Sequence, residues 1–542
     1  MNKEKAFTLV ELLAVIVILA IVLIIAVPGV LGIINKTKGN ALERQVDMIK
    51  EAARLYMTSD SDVTWVGEDT KMTTVTLDTL KSKGYLDQKI MDPKTKKEIT
   101  CAKTVITKMG SKYDYDVTLC DQVNASPRLS SNMISIVYKD NRWVKADYMN
   151  KDNNWYNYDN QQWANVATVT GSTREAYKKA NIGSEVKMED INTMFVWIPR
   201  FKYKLFNVDG TVSPVGNSNM AGDYLIDVQL EDTNTPKSTG TQNGQWLTHP
   251  AFTFGGQELE GFWIGKFETG SAIGSGTEIE NNVVDSSRVL IKPNISSWTS
   301  IQLVNIYKSA REMSGTDNSF GLTYNEDPHL TKNMEWGAMA YLTYSSYGKG
   351  GNSDYDGLEK EVGPNTNADS KTGCGNVPSA VESSDICNSY DTVLGQVAST
   401  TGNITGVYDT SGGAHDYVAG VIKAMNGQDI LIGNSGFEQT ELNRLAKEEK
   451  YIDIYEYSKD GSVWSGHLGD ATIEMGPFRL NGMRTSWYED SARYPVGEGS
   501  PSFSWFARGN GFLDQSVEKG TITFGRGSGA IGTNRGFRIT MI

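Results

Sequence analysis

The sequence predicts an α+β protein: a long N-terminal helix, then a small sheet-bearing unit, then a larger loop-rich remainder. An almost unbroken apolar run from Leu12 to Ile34 predicts the helix. A short helical string followed by the alternating segment Tyr113–Cys120 predicts the small sheet. The 54 glycines and the sparse helical periodicity of the remainder suit many ordered loops. With 542 residues, the chain has room for more than one globular unit.

Lys3 and Lys5 precede the first helix, and one carboxylate, Glu11, stands at the start of its apolar run. An ionised side chain inside a membrane-spanning helix costs roughly 3 kcal/mol on insertion scales, so Glu11 needs a partner. The run is too long for the apolar core of an ordinary secretory signal, which with a plain membrane anchor is the competing reading. Pro28 is expected to kink it. Beyond it, Leu42, Val46, Ile49, Ala53 and Tyr56 recur at steps of four and three, continuing one amphipathic helix with Arg44, Lys50 and Glu51 on its solvated side.

The string Ala6-Phe7-Thr8-Leu9-Val10-Glu11, followed by the apolar run, resembles the N-terminus of a type IV prepilin or pseudopilin. The resemblance implies a leader of residues 1–6, cleaved after Ala6 by prepilin peptidase. It implies N-methylation of Phe7 and a transmembrane and assembly helix over 7–34. It also implies that Glu11 pairs with the terminal ammonium of a neighbouring pilin subunit. Ala6 departs from the family's usual glycine, so slow cleavage is expected. No second apolar run is long enough to span a membrane, and everything after about residue 35 is expected outside the cytoplasmic membrane, on a filament or the cell surface.

The formal charge is −13, and losing Met1–Ala6 removes two lysines and one glutamate to leave −14. An acidic exterior argues against a partner gripped through its phosphates, so no nucleic acid is expected. The four cysteines form two close pairs in sequence, Cys101 with Cys120 and Cys374 with Cys387. In an exported chain they read as two local disulfides, each worth about 3 kcal/mol in the chain-entropy model. A zinc site is the alternative, although the spacings contain no CxxC and His249, His329, His415 and His467 are scattered.

Residues 35–122 are expected to form a small headgroup on the pilin plan. Val75–Leu86 reads as a short helix with a glycine stop, and the leucine-lysine-glycine string ahead of Asp92-Pro93 resembles Gram-positive pilins. Residues 123–190 read as a spacer rich in Asn, Asp and aromatics, with Trp143–Asp147 as a short strand and Asp/Asn groups at tight turns. Trp155, Tyr156 and Trp163 read either as a carbohydrate-stacking platform or as aromatics that close small hairpins.

The remainder contains Met194–Tyr203, Gly261–Thr269, Asn333–Leu342, Gly406–Tyr417 and Asn534–Ile539, short strings rich in aromatics. In this order and spacing they resemble the formylglycine-generating (sulfatase-modifying factor) family and its C-type lectin-like relatives over residues 191–542. The resemblance implies a compact, loop-rich α+β domain. In the oxidase members a C-terminal cysteine pair binds copper, but no cysteine follows Cys387 here. Copper then has no soft ligand and no enzyme is expected. The resemblance also implies a structural calcium at Asp409, Gly412, Ala414 and Asp416, through two side chains and two backbone carbonyls. Gly413 stands where the family has asparagine, and His415 and Tyr417 where it has tryptophans. The alternative is a turn in which Asp409 caps its own backbone.

Two functions follow. The first is a minor type IV pilin-like surface subunit whose lectin-like module binds a surface glycan or protein as an adhesin. Its ligand-binding surface would lie at Trp505, Phe506, Arg508, Asn510, Phe512, Asp514, Phe524 and Arg526, aromatic and Arg anchors set among glycines. The second is a structural pseudopilin of a type II secretion or competence-type machine, with the large module only a cap.

Overall fold

A computed structural model describes residues 44–59, 71–86, 89–91, 99, 102–109, 112–119, 127–148, 155–205, 226–241, 244–273, 278–351, 361–378, 380, 382–423, 429–457, 464–465, 467–475, 478–480, 483–485, 503–512 and 520–542. The chain divides into two compact units, Met1–Val123 and Asn124–Ile542. Ala6, Phe7, Glu11, the apolar run to Ile34, Cys101, Cys120 and Asp514 lie outside the described residues. Among the described residues, no helix is long and apolar enough to cross a membrane.

In the first unit, residues 44–59 form helix α1, which buries Ile49, Ala53 and Tyr56 at the expected spacing, with Ala52 beside them. Strands β1 (Lys71–Thr76), β2 (Ala102–Met109) and β3 (Lys112–Leu119) make an antiparallel sheet in that order. The short helix α2 (Leu77–Ser82) starts later than Val75, because Val75 and Thr76 end β1. The Thr76 hydroxyl then caps α2 by accepting from the Thr79 N–H at 3.2 Å. Gly84, at φ +79°, is the glycine stop. The alternation of the Tyr113–Cys120 segment is that of β3, with Tyr115 buried and Val117 partly buried against Ile106, Leu77 and Leu80.

In the second unit the strands are β4 (Ile134–Lys139), β5 (Arg142–Lys145), β6 (Asn165–Val169), β7 (Ile191–Pro199), β8 (Gly261–Gly265), β9 (His329–Leu330), β10 (His415–Ile422), β11 (Asp453–Tyr457), β12 (Trp464–Ser465), β13 (Trp505–Arg508), β14 (Phe524–Gly527), β15 (Arg535–Phe537) and β16 (Ile539–Met541). One sheet has seven strands in the order β9-β16-β8-β7-β6-β4-β5, each neighbouring pair antiparallel. The next largest runs β12-β11-β10-β13-β14, with β15 parallel to the start of β10, and smaller two- and three-stranded sheets complete the unit. Helix α3 (Asn333–Thr343) is buried along its whole length, which explains why its sequence shows no polar face.

Residues 123–190 are therefore not a spacer, since β4, β5 and β6 supply three strands of the seven-stranded sheet. β4 and β5 form a hairpin across Asp140 and Asn141, both at positive φ, as a two-residue turn of the I′ kind requires. Trp155 and Trp163 are buried, their indole N–H groups donating to the Asn165 carbonyl (2.8 Å) and the Tyr347 carbonyl (2.7 Å). They are core anchors and leave no stacking face for a sugar. Cys374 and Cys387 are joined in a disulfide.

Candidate functional site

Strand β8 runs into Lys266, Phe267 and Glu268, and the segment leading into β10 brings Asp409, Gly412, Gly413 and Ala414 up to Glu268. The Ala414 N–H donates to the Glu268 carboxylate at 3.0 and 3.2 Å, and the Ser297 hydroxyl donates to its other side. Gly412 and Gly413 sit at φ +74° and +70°. A Cβ on Gly413 would fall 2.3 Å from Glu268 Oε1, so the close approach itself demands glycine. Asp409 is also left-handed, at φ 57°. Its carboxylate accepts from Asn365 Nδ2 (2.9 Å) and from the Gly373 N–H (2.9 Å to each oxygen).

The cation of this nest is Arg538, fully buried between β15 and β16. Its Nε donates to Asp416 Oδ2 (3.3 Å), Nη1 to the Gly265 carbonyl (2.8 Å), and Nη2 to the carbonyls of Tyr408 (2.9 Å) and Asp409 (3.1 Å). One guanidinium thus ties β8, the 408–409 turn and β10 together. Burial pushes all three carboxyls up: Asp416 to about 7, while Glu268 rises well above the usual range, helped by the charges of Asp416 and Asp409. Lys266 is buried alongside. Its ammonium donates to the carbonyls of Ile404 (2.7 Å) and Gly406 (2.8 Å) and lies over the rings of Trp143 and Tyr408, and burial lowers its pKa.

Groups of the chain itself already engage part of the expected calcium ligand set. Calcium takes six to eight oxygens; of the expected side-chain ligands, the Asp409 carboxylate accepts from N–H donors and Asp416 faces a guanidinium, while the Gly413 carbonyl beside them accepts from the Phe512 N–H (2.7 Å). Gly412 contributes its N–H, to the Gly509 carbonyl at 2.8 Å. Asp416 Oδ1 is buried without a hydrogen bond, as is Ser411 Oγ in the same loop. Among the described residues, no three His, Cys, Asp or Glu side chains are placed to hold a metal. Arg538 sets a positive charge against Asp416, and the Asp409 carboxylate is held by the N–H groups of Asn365 and Gly373.

The expected ligand-binding surface is largely interior. Trp505, Phe506 and Arg508 lie on β13, which is buried on both faces between β10 and β14. Trp505 donates to the Ile432 carbonyl (3.1 Å) and stacks on Phe437; Phe506 packs on Tyr455 with ring centroids 4.6 Å apart. Arg508 donates to Asn333 Oδ1 (2.8 Å) and to the carbonyls of Asp470, Ala471 and Ile522, and burial lowers it to about 10. Phe524 is buried beneath it. Asn510 and Phe512 are half-buried. Arg526 is exposed, lying over the Phe503 ring at 5.2 Å.

Sequence reasoning missed Glu268, Asn365 and Arg538, which lie far apart along the chain and carry no shared local pattern. It also missed a second buried nest. There Glu474 accepts from the hydroxyls of Tyr203 (3.0 Å) and Tyr341 and from the Gly469 N–H (2.5 Å), and burial pushes it up to about 8. His249 packs between the Tyr203 and Tyr341 rings, pushed down to about 3 by burial and therefore neutral.

Residues 1–27 match the family described as the prokaryotic N-terminal methylation motif. The match marks a type IV pilin-like or pseudopilin N-terminus, which implies processing by prepilin peptidase, pilin subunits as partners and attachment at the membrane. No curated protein matches this chain.

Proposed function

We propose that the chain is a minor type IV pilin-like subunit that displays the unit Asn124–Ile542 at the cell surface as a lectin-like, ligand-binding adhesin module that turns nothing over. The observation that carries this reading is the methylation motif over residues 1–27 on a chain whose second compact unit extends from Asn124 to Ile542. A head of that size obstructs tight packing within a filament shaft, which favours a sparse or terminal subunit over a shaft-building one. The lectin-like part is supported by the ordered aromatic strings of residues 191–542 and by a loop-rich fold, in which exposed loops vary without disturbing the core.

Mass spectrometry of the native protein should find a methylated Phe7 as the first residue. A mature N-terminus beyond residue 25 would remove the pilin argument. Glu11→Ala should leave membrane insertion intact while reducing incorporation into filaments, because Glu11 loses its pairing role. Immunogold labelling with antibody to residues 191–542 should mark surface filaments. Label confined to membranes would instead favour a pseudopilin of a secretion or competence machine.

A further inference from the structure

With most of the C-terminal aromatic segment buried, the reading of a displayed binding module needs a different concavity. A pocket of about 480 Å³ opens on the second unit among residues 128–133, the turn Tyr324–Asp327, Gln257, Trp263 and Lys450. That volume falls within the range of about 300–1,000 Å³ typical of small-molecule sites. Trp263 forms its base, 1% exposed, and the Tyr324 ring stands on its rim, 74% exposed.

The rim is held in place. The Arg128 carbonyl accepts from Trp263 Nε1 at 2.7 Å, and the Glu326 carboxylate accepts from the Thr323 hydroxyl at 2.7 Å. The Ile542 N–H donates to the Glu326 carbonyl at 2.9 Å, pinning the turn to the end of β16. Two carboxylates line the pocket, and that of Glu326 is engaged by the Thr323 N–H and hydroxyl. Asp327 is answered by Arg311, by Lys450 (2.5 Å) and by the Tyr451 hydroxyl (3.0 Å), so Lys450 is already engaged. Among the described residues, the Arg128 guanidinium makes no hydrogen bond or ion pair and is exposed. The pocket therefore offers one uncommitted planar cation, one exposed aromatic ring, and the amides of Asn325 and Gln257.

We propose that this pocket is the ligand subsite of the displayed module and that it takes a sugar unit bearing a carboxylate, an inference that rests on the display reading above. The Arg128 fork matches a carboxylate in a bidentate arrangement. The Tyr324 ring offers a flat apolar surface to the C–H face of a pyranose, and the amides can answer its hydroxyls as donors and acceptors. The overall charge of −13 opposes long-range attraction of an anion, so recognition depends on this local cation.

The test is isothermal titration of the full-length chain in detergent with sialyllactose and, separately, a glucuronate-containing disaccharide, with lactose as the neutral control. The two probes share the carboxylate and distinguish a host-type from a bacterial-type source. At least one should bind while lactose does not, and raised salt should weaken the binding. Arg128→Ala and Tyr324→Ala should each weaken it about tenfold or more with unchanged melting temperature, since both side chains are exposed. Arg128→Lys should recover only part of the loss. Equal binding of lactose, no heat from either acidic probe at millimolar concentration, or wild-type affinity in both alanine variants would overturn the proposal. If these failures occur while filaments still carry the immunogold label and cells still adhere through them, the pocket is wrong and the display reading stands. Unlabelled filaments would sink the display reading without altering the titration.

Discussion

The first unit packs α1 and α2 on a three-stranded sheet around Ile49, Ala53, Leu80 and Ile106, and among its described residues Thr104 is the single buried polar side chain. The second unit buries Arg200, Arg508 and Arg538 among its largest side chains, together with Lys266, Glu268, Asp416 and Glu474. Where a few regular elements face each other, periodic apolar residues suffice. Where many loops must be joined, the second unit uses long polar side chains whose several donors reach separate backbone segments. Arg538 and Arg508 each bind carbonyls of segments far apart in sequence, a task no apolar side chain performs. The consequence is a core whose stability depends on charge balance, and so on pH, in a way the first unit's core does not.

The comparison would break most visibly at Arg538. Arg538→Ala leaves Asp416 and Glu268 buried without their cation, and removing one partner of a buried pair typically costs about 3–5 kcal/mol. Urea denaturation should show a loss of that order, with hydrogen exchange rising in β8, β10 and β16 while β1–β3 keep their protection. Equal loss of protection in β1–β3 would mean that the two units do not differ in this way. Arg538→Met with Asp416→Leu should recover part of the loss, since replacing both partners by apolar groups leaves no orphaned charge.

A smaller effect, of a few kcal/mol at most, should follow pH. Glu474 titrates near 4.5 when unfolded and about 8 when buried, so the folded state holds its proton more tightly between those values. Its contribution to stability is present below about 4.5 and is lost as pH rises towards about 8. Asp416, raised to about 7, acts in the same direction. Thermal melts of the second unit's signals should therefore fall from pH 5 to pH 8.5, and Glu474→Gln should flatten part of that slope. A slope unchanged by Glu474→Gln would place the titration elsewhere. On the first unit, the matching perturbation is steric. Ile106→Val deletes one buried methylene and should cost about 0.5–1.5 kcal/mol with no dependence on pH.

The same contrast governs what could be read from the chain. α1, β3 and the Gly84 stop follow from local spacing and turn chemistry, and the first unit was legible to that extent. Thr76 was the exception, because a strand ending on its own helix cap looks like helix from sequence. In the second unit the strand-like run at 194–203 falls within observed strands, and the aromatic string at 261–269 opens on β8. The error at 123–190 arose because β6 pairs with β7 and β4 pairs with β6, which joins the segment to the large sheet, a relation set by long-range register. At the candidate site, Gly412 and Gly413 do bend the loop that carries Asp409, Ala414 and Asp416, at φ +74° and +70°, yet the cation beside it is Arg538, far along the chain. Trp505 and Arg508 were misjudged because an interior strand buried on both faces and an exposed anchor strand share the same residue types.

The smallest expected effect is the response to calcium, and it bears directly on the comparison because it asks whether the second unit's buried charges are balanced by its own side chains or by an ion. If the loop from Asp409 to Asp416 held calcium, an ion concentration about 100-fold above its Kd would add about 2.7 kcal/mol to folding. The Asp409 carboxylate accepts from Asn365 and Gly373, and Arg538 lies against Asp416 Oδ2, so an entering ion would have to displace donors from Asp409 and compete with the guanidinium at Asp416. We expect no shift in melting temperature between calcium and chelator. We further expect Asn365→Ala to destabilise the unit by removing one of those donors, on the order of 1–3 kcal/mol for a hydrogen bond to a buried charged group. A calcium-dependent rise that disappears in Asp409→Ala would show that the loop rearranges around an ion, and that the second unit's charge balance is completed from outside the chain.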